Sequence, residues 1–377
     1  MGRIEKDFLG ERTLPDDVYY GVQTLRGKEN FHITGIPMSA EPCFVQALGY
    51  VKKAAALANR DLGVLDARVA DAIAAACDRL IAGDLLDQFV TDFIQGGAGT
   101  STNMNANEVI ANLAGDGVHP NDHVNMGQSS NDVFPSAVHA AALQETVDNL
   151  LPALDHLADA LAAKADEYKD LVKTGRTHLM DAVPVTLGQE FAGYAAQIRQ
   201  GRDRVADTTK RLGQIPLGGT AAGTGLNTHR EFAERVRAKL VEETGLPISA
   251  PADGFEAQGA RDGLVEASGA LKVVAVSLTK IANDLALLGS GPRAGLGEIF
   301  LPELQKGSSI MPGKVNPVIP EVVLQVSAQV IGNDTAITIG GMQGQFELNV
   351  RIPLLARNLL GSIHLLTTTS RLFADRC

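Results

Sequence analysis

The segment at residues 307–317 reads GSSIMPGKVNP and combines two hydroxyl groups, a cation and an amide with two glycines and two prolines. Glycine lets a backbone approach a ligand closely and adopt positive φ, whereas proline stiffens a loop and removes amide donors. The remaining N–H groups, with Lys314 and Asn316, suit a small anion, especially a carboxylate that gains charge during a reaction. A plain surface turn is the alternative, but Lys314 and Asn316 two residues apart between apolar helices favour a site.

A second polar segment, FIQGGAGTSTNMNANEVIANLAG at residues 93–115, is rich in glycine and leads into an apolar helix predicted to start near Asn105. The N-terminus of a helix binds anions because its first N–H groups have no partner within the helix. Ser101 or Thr102 could instead cap this helix, and both interpretations can hold together.

A third polar segment, VHPNDHVNMGQSSND at residues 118–132, ends in three short polar side chains, Ser129–Asn131, just before a long predicted helix. These three residues are predicted either to cap that helix or to cradle a carboxylate. His119 and His123 lie four residues apart, but Pro120 breaks the helix that would align them, so a metal site is disfavoured.

A histidine lies within KTGRTHLMDAVPVTLGQEF at residues 173–191, where Thr177 precedes His178. Glu321 follows soon after the 307–317 segment, and a pairing of His178 with Glu321 would set the tautomer of the ring and raise its basicity. The glycine-rich segment IPLGGTAAGTGLN at residues 215–227 is interpreted as structural, with a possible supporting role.

The pattern GSSxMPxKxN resembles the signature of the aspartase/fumarase superfamily, and the resemblance runs from about Arg3 to the end of the chain. It implies that Ser308 is the base, acting as an alkoxide, and that Lys314 and Asn316 stabilise an aci-carboxylate intermediate. The implied catalytic group is Ser308, His178, Lys314 and Glu321. The implied substrate-binding group is Thr100, Ser129, Ser130, Asn131, Thr177, Ser309, Lys314 and Asn316.

Within the superfamily, the segments YYGVQTLR and GGAGTSTNMN look like aspartase, whereas FELNV at residues 346–350 is shared with fumarases. The resemblance therefore implies an aspartate ammonia-lyase, a carbon–nitrogen lyase that converts L-aspartate to fumarate and ammonia. Class II fumarase, a hydro-lyase acting on L-malate and fumarate, is the alternative. The chemistry implies no cofactor and no metal.

Two other classes of protein compete with a lyase. A helical scaffold of the crystallin type would have lost its site, but Ser308, Lys314 and Asn316 are intact. An enzyme that uses the glycine-rich loops for nucleotide phosphates would need GxxxxGK[ST], or a GxGxxG after a strand, and the chain contains neither context.

The elements that must position these groups are long helices. The apolar residues recur with helical period, and the predicted helices follow: a stripe from Phe44 to Ala58, then 67–82, 135–170, 187–212, 261–288, 318–335 and 352–374. Residues 3–26 are predicted as an irregular arm with a short strand or turn around 19–23. The fold class is mainly all-α, an elongated multi-helix bundle of the aspartase/fumarase type with a smaller, mostly helical N-terminal domain.

The predicted domains are residues 1–127 and 128–377, and the small C-terminal domain usual in the family is absent from this chain. Broad apolar stripes on the helices predict faces buried against other subunits. The resemblance implies a homotetramer whose active sites are shared between subunits, with a small dicarboxylate as the substrate.

Composition narrows the possible partners. The chain has 377 residues, a formal net charge of −11 and three cysteines without metal-ligand spacing. Such a charge disfavours a nucleic-acid surface, and the absence of a long apolar stretch disfavours a membrane span. Without an apolar signal segment at the N-terminus, the protein is expected to be cytoplasmic.

Overall fold

The structure, a computed structural model, describes residues 2–377. Those residues form twelve α-helices and two short antiparallel hairpins, which confirms the mainly all-α class. The helices are α1 (Val22–Asn30), α2 (Pro42–Asp61), α3 (Ala67–Ile81), α4 (Thr100–Ala114), α5 (Ser130–Glu145), α6 (Leu151–Glu167), α7 (Leu187–Leu212), α8 (Phe232–Thr244), α9 (Gly254–Gly259), α10 (Asp262–Leu288), α11 (Val318–Gly341) and α12 (Ile352–Arg376). The strands are β1 (Gly2–Asp7), β2 (Gly10–Pro15), β3 (Val172–Thr177) and β4 (Met180–Thr186).

The helix predictions are confirmed, with some shifts at the ends. The boundaries of α7 coincide with the predicted 187–212, whereas α4 begins at Thr100 and not near Asn105. The predicted helix 135–170 begins at Ser130 and passes through a π-helical stretch, Thr146–Leu150, into α6. Local periodicity identifies such helices well, but the residues that end them depend on tertiary partners.

The prediction of an irregular N-terminal arm is wrong. Strands β1 and β2 pair from Gly2 opposite Pro15 to Asp7 opposite Gly10, and helix α1 follows. The carboxylate of Glu108, on α4, accepts hydrogen bonds from the N–H groups of Gly21 (2.8 Å), Gln23 (2.9 Å) and Thr24 (3.0 Å). Helix α1 is therefore capped by a residue far away in sequence, which local patterns cannot reveal.

The chain divides into two compact units. The first comprises residues up to Gln144 together with Thr209–Val265 and Ala336–Leu360. The second comprises Glu145–Thr208, Glu266–Thr335 and Gly361–Cys377. The division into domains 1–127 and 128–377 stays a prediction.

The core of the first unit lies around α2. The predicted stripe on this helix is buried, with Phe44, Leu48 and Val51 fully inaccessible to solvent. The ring of Phe44 lies 5.0 Å from that of Phe134 and 6.5 Å from that of Phe93, measured between centroids. These tilted aromatic contacts tie α2 to α5 and to the segment that leads toward α4.

The second unit contains the β3–β4 hairpin and most of the long helices α6, α7, α10, α11 and α12. The buried residues Leu271, Leu278 and Leu285 follow one face of α10, as predicted from the period. No helix within residues 2–377 is both long enough and apolar enough to span a membrane.

Candidate active site

The 307–317 segment forms a compact loop in which backbone N–H groups converge on one serine. The Oγ of Ser308 accepts hydrogen bonds from the N–H groups of Ile310 (3.3 Å) and Met311 (3.1 Å). The N–H of Gly307 donates to the carbonyl oxygen of Lys314 (2.9 Å), which closes the loop. Hydrogen bonds donated to an oxygen favour its charged form, so these two N–H groups are arranged as the predicted alkoxide at Ser308 would require.

The other polar side chains of this loop have distinct surroundings. The Nδ2 of Asn316 donates to the carbonyl oxygen of Gly307 (2.7 Å), so Asn316 holds the loop closed. A Cβ at Gly307 would lie 2.4 Å from the carbonyl oxygen of Lys314, so only glycine fits there. The side chains of Ser309 and Lys314 are exposed. Within residues 2–377 the Lys314 ammonium has no hydrogen-bond or ion-pair partner, which leaves its charge available to a ligand.

The glycine-rich segment before α4 brings Thr100 to the N-terminus of that helix. Gly97 and Gly99 adopt φ of +84° and +86°, which favours glycine. The N-cap residue is Gly99, without a side-chain cap, so the expectation that Ser101 or Thr102 caps the helix is wrong. Thr102 lies inside the helix, buried, whereas the Oγ1 of Thr100 donates to the carbonyl oxygen of Gly97 (2.7 Å).

The Ser129–Asn131 segment is held by a buried carboxylate that sequence reasoning missed. The Oδ1 of Asp132 accepts the N–H of Ser129 (2.9 Å). Its Oδ2 accepts the N–H groups of Gly218 (3.1 Å) and Thr220 (2.8 Å). Burial raises the pKa of Asp132 to about 7, although these N–H groups and the charge of Lys52 act in the opposite direction.

These contacts give the Ser129–Asn131 segment the capping role that was considered for it, whereas its role as a cradle for a carboxylate stays a prediction. Ser129 caps α5, because its Oγ accepts the N–H of Asn131 (3.1 Å). The Nδ2 of Asn131 donates to the carbonyl oxygen of Ala221 (2.9 Å), so the glycine-rich 215–227 segment supports this loop. The Nδ2 of Asn103 on α4 donates to Ser130 Oγ (3.2 Å), which connects the loop to the helix that begins with Thr100.

His178 lies at the tip of the β3–β4 hairpin, which sequence analysis did not predict. Thr177 and Met180 are paired across the hairpin, and the two residues between them, His178 and Leu179, have φ of +56° and +61°. Positive φ at both central residues defines a type I′ turn, in which glycine and asparagine are usual. Thr177 and His178 are exposed, so a strained turn presents both to solvent.

The hairpin is anchored by ion pairs at two points along β3. The Nζ of Lys173 lies 2.8 Å from Glu190 Oε2 and 2.7 Å from Glu298 Oε2. The guanidinium of Arg176 also binds Glu298, and this hydrogen bond is the main reason why the pKa of Glu298 is lowered. A strained tip thus lies at the end of a well-anchored pair of strands.

Within the first unit, the structure brings the side chain of Asn103 to the Ser129–Asn131 segment, where it contacts Ser130. Within the second unit, Glu321 lies in the first turn of α11 and is exposed. No hydrogen bond or ion pair in the described part of the chain joins His178 to Glu321, or His178 to Ser308. The pairing of His178 with Glu321 therefore stays a prediction.

His119 and His123 use their ring nitrogens locally. The Nδ1 of His119 accepts the N–H of Asp122 (3.1 Å), and the Nδ1 of His123 accepts the N–H of His119 (2.9 Å). No group of three His, Cys, Asp or Glu side chains in residues 2–377 is arranged to hold a metal ion.

The fold and these motifs define a class of protein. A family model described as "Lyase" matches residues 10–332. The chain belongs to this lyase family, within the aspartase/fumarase superfamily, and is an enzyme of that class. The resemblance of the GSSxMPxKxN segment to the superfamily signature is thereby confirmed.

Individual relatives of this chain belong to a narrower class of enzyme than the family description gives. The chain is 59% identical over 379 residues to the fumarate hydratase class II of Mycobacterium tuberculosis (strain CDC 1551 / Oshkosh), covering 100% of this chain and 80% of the relative. It is 52% identical over 385 residues to the mitochondrial fumarate hydratase of Danio rerio, covering 100% of this chain and 75% of the relative. The crystal structure of a recombinant class II fumarase from Schistosoma mansoni matches with a TM-score of 0.98 and 39% identity, covering 100% of this chain and 84% of that one.

The expectation of an aspartate ammonia-lyase is wrong, because these relatives at high identity over the whole chain are fumarate hydratases. The two segments that resemble aspartase do not identify the reaction. YYGVQTLR and GGAGTSTNMN also occur in a chain this close to fumarases. Carboxylate clamps and a base serve ammonia and water elimination equally, so these motifs do not separate the two reactions.

Proposed function

We propose that this enzyme is a class II fumarase, a hydro-lyase that interconverts L-malate and fumarate. The observation that carries the proposal is the 59% identity, over all of this chain, to a class II fumarate hydratase. The geometry of the serine loop supports it, because the reaction needs a base beside a site for a developing anion. A small dicarboxylate is the substrate class in this proposal.

In the direction from malate to fumarate, the Ser308 alkoxide removes a proton from the methylene carbon next to a carboxylate. The electron pair left on carbon is delocalised into that carboxylate, which becomes a doubly charged aci-carboxylate. Lys314 supplies a positive charge to it, and Asn316 and the loop backbone supply N–H donors. The two N–H groups that already face Ser308 Oγ reduce the cost of forming the base.

The second half of the reaction expels the hydroxyl group. The electron pair forms the carbon–carbon double bond as the C–O bond breaks, and the leaving hydroxyl takes up one proton, which balances the proton removed by Ser308, and departs as water. In this proposal the other carboxylate and the leaving group are held by the remaining polar residues. These are Thr100, Ser129, Ser130, Asn131, Thr177, His178 and Ser309, with Glu321 orienting His178.

The proposal includes a homotetramer with active sites shared between subunits. In the second unit the serine loop and the His178 turn are each exposed and are not joined by hydrogen bonds, as expected for parts of a site that other chains complete. Exposed apolar side chains on the long helices also support an assembly of several chains. Val276 on α10 is 54% exposed and Ile339 on α11 is 49% exposed.

The test is a direct comparison of substrates. Purified enzyme is supplied with L-malate or L-aspartate at matched concentrations, and fumarate is followed by its ultraviolet absorbance. The same sample is then supplied with fumarate alone, to measure hydration, and with fumarate plus ammonium, to measure amination. Turnover of L-malate far above that of L-aspartate supports the proposal, and the opposite order would overturn it.

A further inference from the structure

Lys52 is a fully buried lysine on α2 that the mechanism above does not use. Its Nζ donates to Asn125 Oδ1 (3.0 Å) and to Gln128 Oε1 (2.9 Å). Burial lowers the pKa of this ammonium to about 7, and Asp132 and Cys77 are the ionisable groups whose charges oppose that shift. A buried lysine is costly, so its retention beside the Ser129–Asn131 loop calls for a reason.

The ammonium determines which way the neighbouring amides face. A lysine ammonium can only donate hydrogen bonds, so Asn125 and Gln128 must each present an oxygen to Lys52. The Nδ2 of Asn125 donates to the backbone carbonyl oxygen of Gln128 (3.2 Å), which agrees with this orientation. The Nε2 of Gln128 donates to the carbonyl oxygen of Val124 (3.0 Å). Lys52 thus holds both side chains of the turn that leads directly into Ser129.

The same oxygen of Asn125 orients two further amides. It accepts the Nδ2 of Asn103 (3.1 Å) and the Nδ2 of Asn107 (3.1 Å). The amide nitrogen of Asn103 has two hydrogens, and it also donates to Ser130 Oγ (3.2 Å). Because the Ser130 oxygen accepts this bond, the single hydrogen of the Ser130 hydroxyl remains free to be donated to a ligand.

The network carries a cost that an apolar core would avoid. The Oδ1 atoms of Asn103 and Asn107 are buried and have no hydrogen-bond partner among the described residues. An unsatisfied buried polar atom typically costs about 1–3 kcal/mol, and apolar residues of similar volume would pack without that cost. An arrangement that keeps such atoms next to Ser130 points to a role in the site.

We propose that Lys52 is a positioning residue: through Asn125 and Asn103 it orients the Ser130 hydroxyl to donate to a carboxylate of the substrate. The inference rests on the proposed function, since Ser130 is a substrate-binding residue only in that proposal. Lys52 itself does not contact the substrate. It acts by fixing the direction of each hydrogen bond in the series that ends at Ser130.

The test is a double-mutant cycle read as kcat/KM for L-malate. The variants are Lys52→Met, which keeps the length of the side chain without the charge, Ser130→Ala, and the two combined. Loss of one hydrogen bond to a charged group lowers kcat/KM about tenfold, chiefly through KM. We expect each single variant to show that loss, and the double variant to lie within about twofold of Ser130→Ala, because both changes remove the same contact.

Lys53→Met is the matched control. Lys53 is the next residue on α2, and its Nζ forms ion pairs with Asp78 (2.9 Å) and Glu243 (2.7 Å) away from the network. This variant is expected to change kcat/KM less than about twofold, since neither ion pair belongs to the series of hydrogen bonds that ends at Ser130. A parallel cycle combines Asn103→Asp with Ser130→Ala. Asn103→Asp replaces the N–H donor to Ser130 by an oxygen of the same size. This cycle covers the case in which Lys52→Met does not fold.

The outcomes separate the two proposals. Wild-type enzyme without L-malate turnover overturns the proposed function and this inference with it. Active wild-type enzyme with losses that multiply in the double variants, about hundredfold in all, overturns only the inference, because Lys52 and Asn103 would then act independently of Ser130. Unchanged kcat/KM in Lys52→Met would likewise overturn it.

Discussion

The fit of Gly99 against Phe134 allows one prediction to be worked through from the structure. Gly99 is the N-cap of α4, directly before Thr100, and has φ +86° and ψ +11°. A Cβ built there would lie 2.2 Å from Cδ2 and 2.3 Å from Cγ of Phe134. The ring of Phe134 is fully buried and packs on Phe44, so it has little room to move.

Gly99→Ala therefore combines two costs. A left-handed backbone conformation costs a residue with a Cβ about 1–2 kcal/mol. Displacing a packed aromatic ring adds about 1–3 kcal/mol, so the free energy of unfolding should fall by about 2–5 kcal/mol. Gly117→Ala is the matched control, because Gly117 has φ +91° but nothing lies within 4 Å of a built Cβ. It should lose only the backbone part, about 1–2 kcal/mol.

The assay is urea unfolding of the wild type and both variants at one protein concentration. The two variants should share the slope of the wild type and differ in midpoint, with Gly99→Ala the lower. Equal losses in the two variants would refute the argument, since the contact with Phe134 would then have no energetic effect. Gly99→Ala should also raise KM for L-malate, because it shifts the start of α4 at Thr100.

Four further predictions follow from the site and from the packing. Ser308→Ala should abolish turnover while the affinity for substrate, measured by direct binding, and assembly change little, because it removes the base and not a substrate clamp; turnover within a few-fold of the wild type would show that another group is the base. Lys314→Ala should weaken substrate binding and turnover together, and unchanged steady-state kinetics would remove Lys314 from the site. The protein should be a homotetramer by light scattering or native mass measurement, and a stable, active monomer would contradict this. Burial lowers the pKa of His139 to about 4, below the unfolded value near 6.5; about 3 kcal/mol of stability should therefore be lost as pH falls from 6.5 to 4, and His139→Asn, measured by the same unfolding assay, should lose less.

The long helices could be predicted because their signal is local. Residues 187–212 show an apolar period close to 3.6, and α7 has those boundaries. The N-terminal arm failed because its structure depends on distant partners. The guanidinium of Arg3 donates to the carbonyl oxygens of Val18 (2.6 Å) and Tyr20 (2.7 Å), and Glu108 caps α1. The Arg3 contacts join residues 15 and 17 positions apart, and the cap of α1 comes from outside residues 3–26, so patterns of neighbouring residues reveal neither.

The candidate site, like the fold, was predictable in part from residue types and in part only from the tertiary structure. The residue types of the serine loop pointed to anion chemistry because glycine, serine, lysine and asparagine have known donors and conformations. The N–H groups that face Ser308 Oγ, the left-handed turn at His178 and the three hydrogen bonds to Asp132 could not be read from residue types. Lys52 appeared in the sequence only as one of two adjacent lysines in an alanine-rich helix.

The choice between ammonia and water as the leaving group was the main error. Thr100, Ser129 and Asn131 offer donors and acceptors that suit either group, so the residues alone do not decide. Resemblance of short segments pointed to aspartase, whereas identity over the whole chain points to fumarase. Discrimination by a few hydrogen bonds depends on their positions to within fractions of an ångström, and residue types do not carry those positions.

The sequence by itself determined the helical class, the lyase superfamily and the stretches from which a site could be built. Each of these follows from local periodicity or from a short run of residues with particular chemistry. Only the tertiary structure decided which groups support which. It placed Asp132 against Gly218 and Thr220, and it connected Lys52 to Ser130 through two asparagines. The physical reason is that a hydrogen bond depends on distance and direction between atoms, which folding sets for residues far apart in the chain.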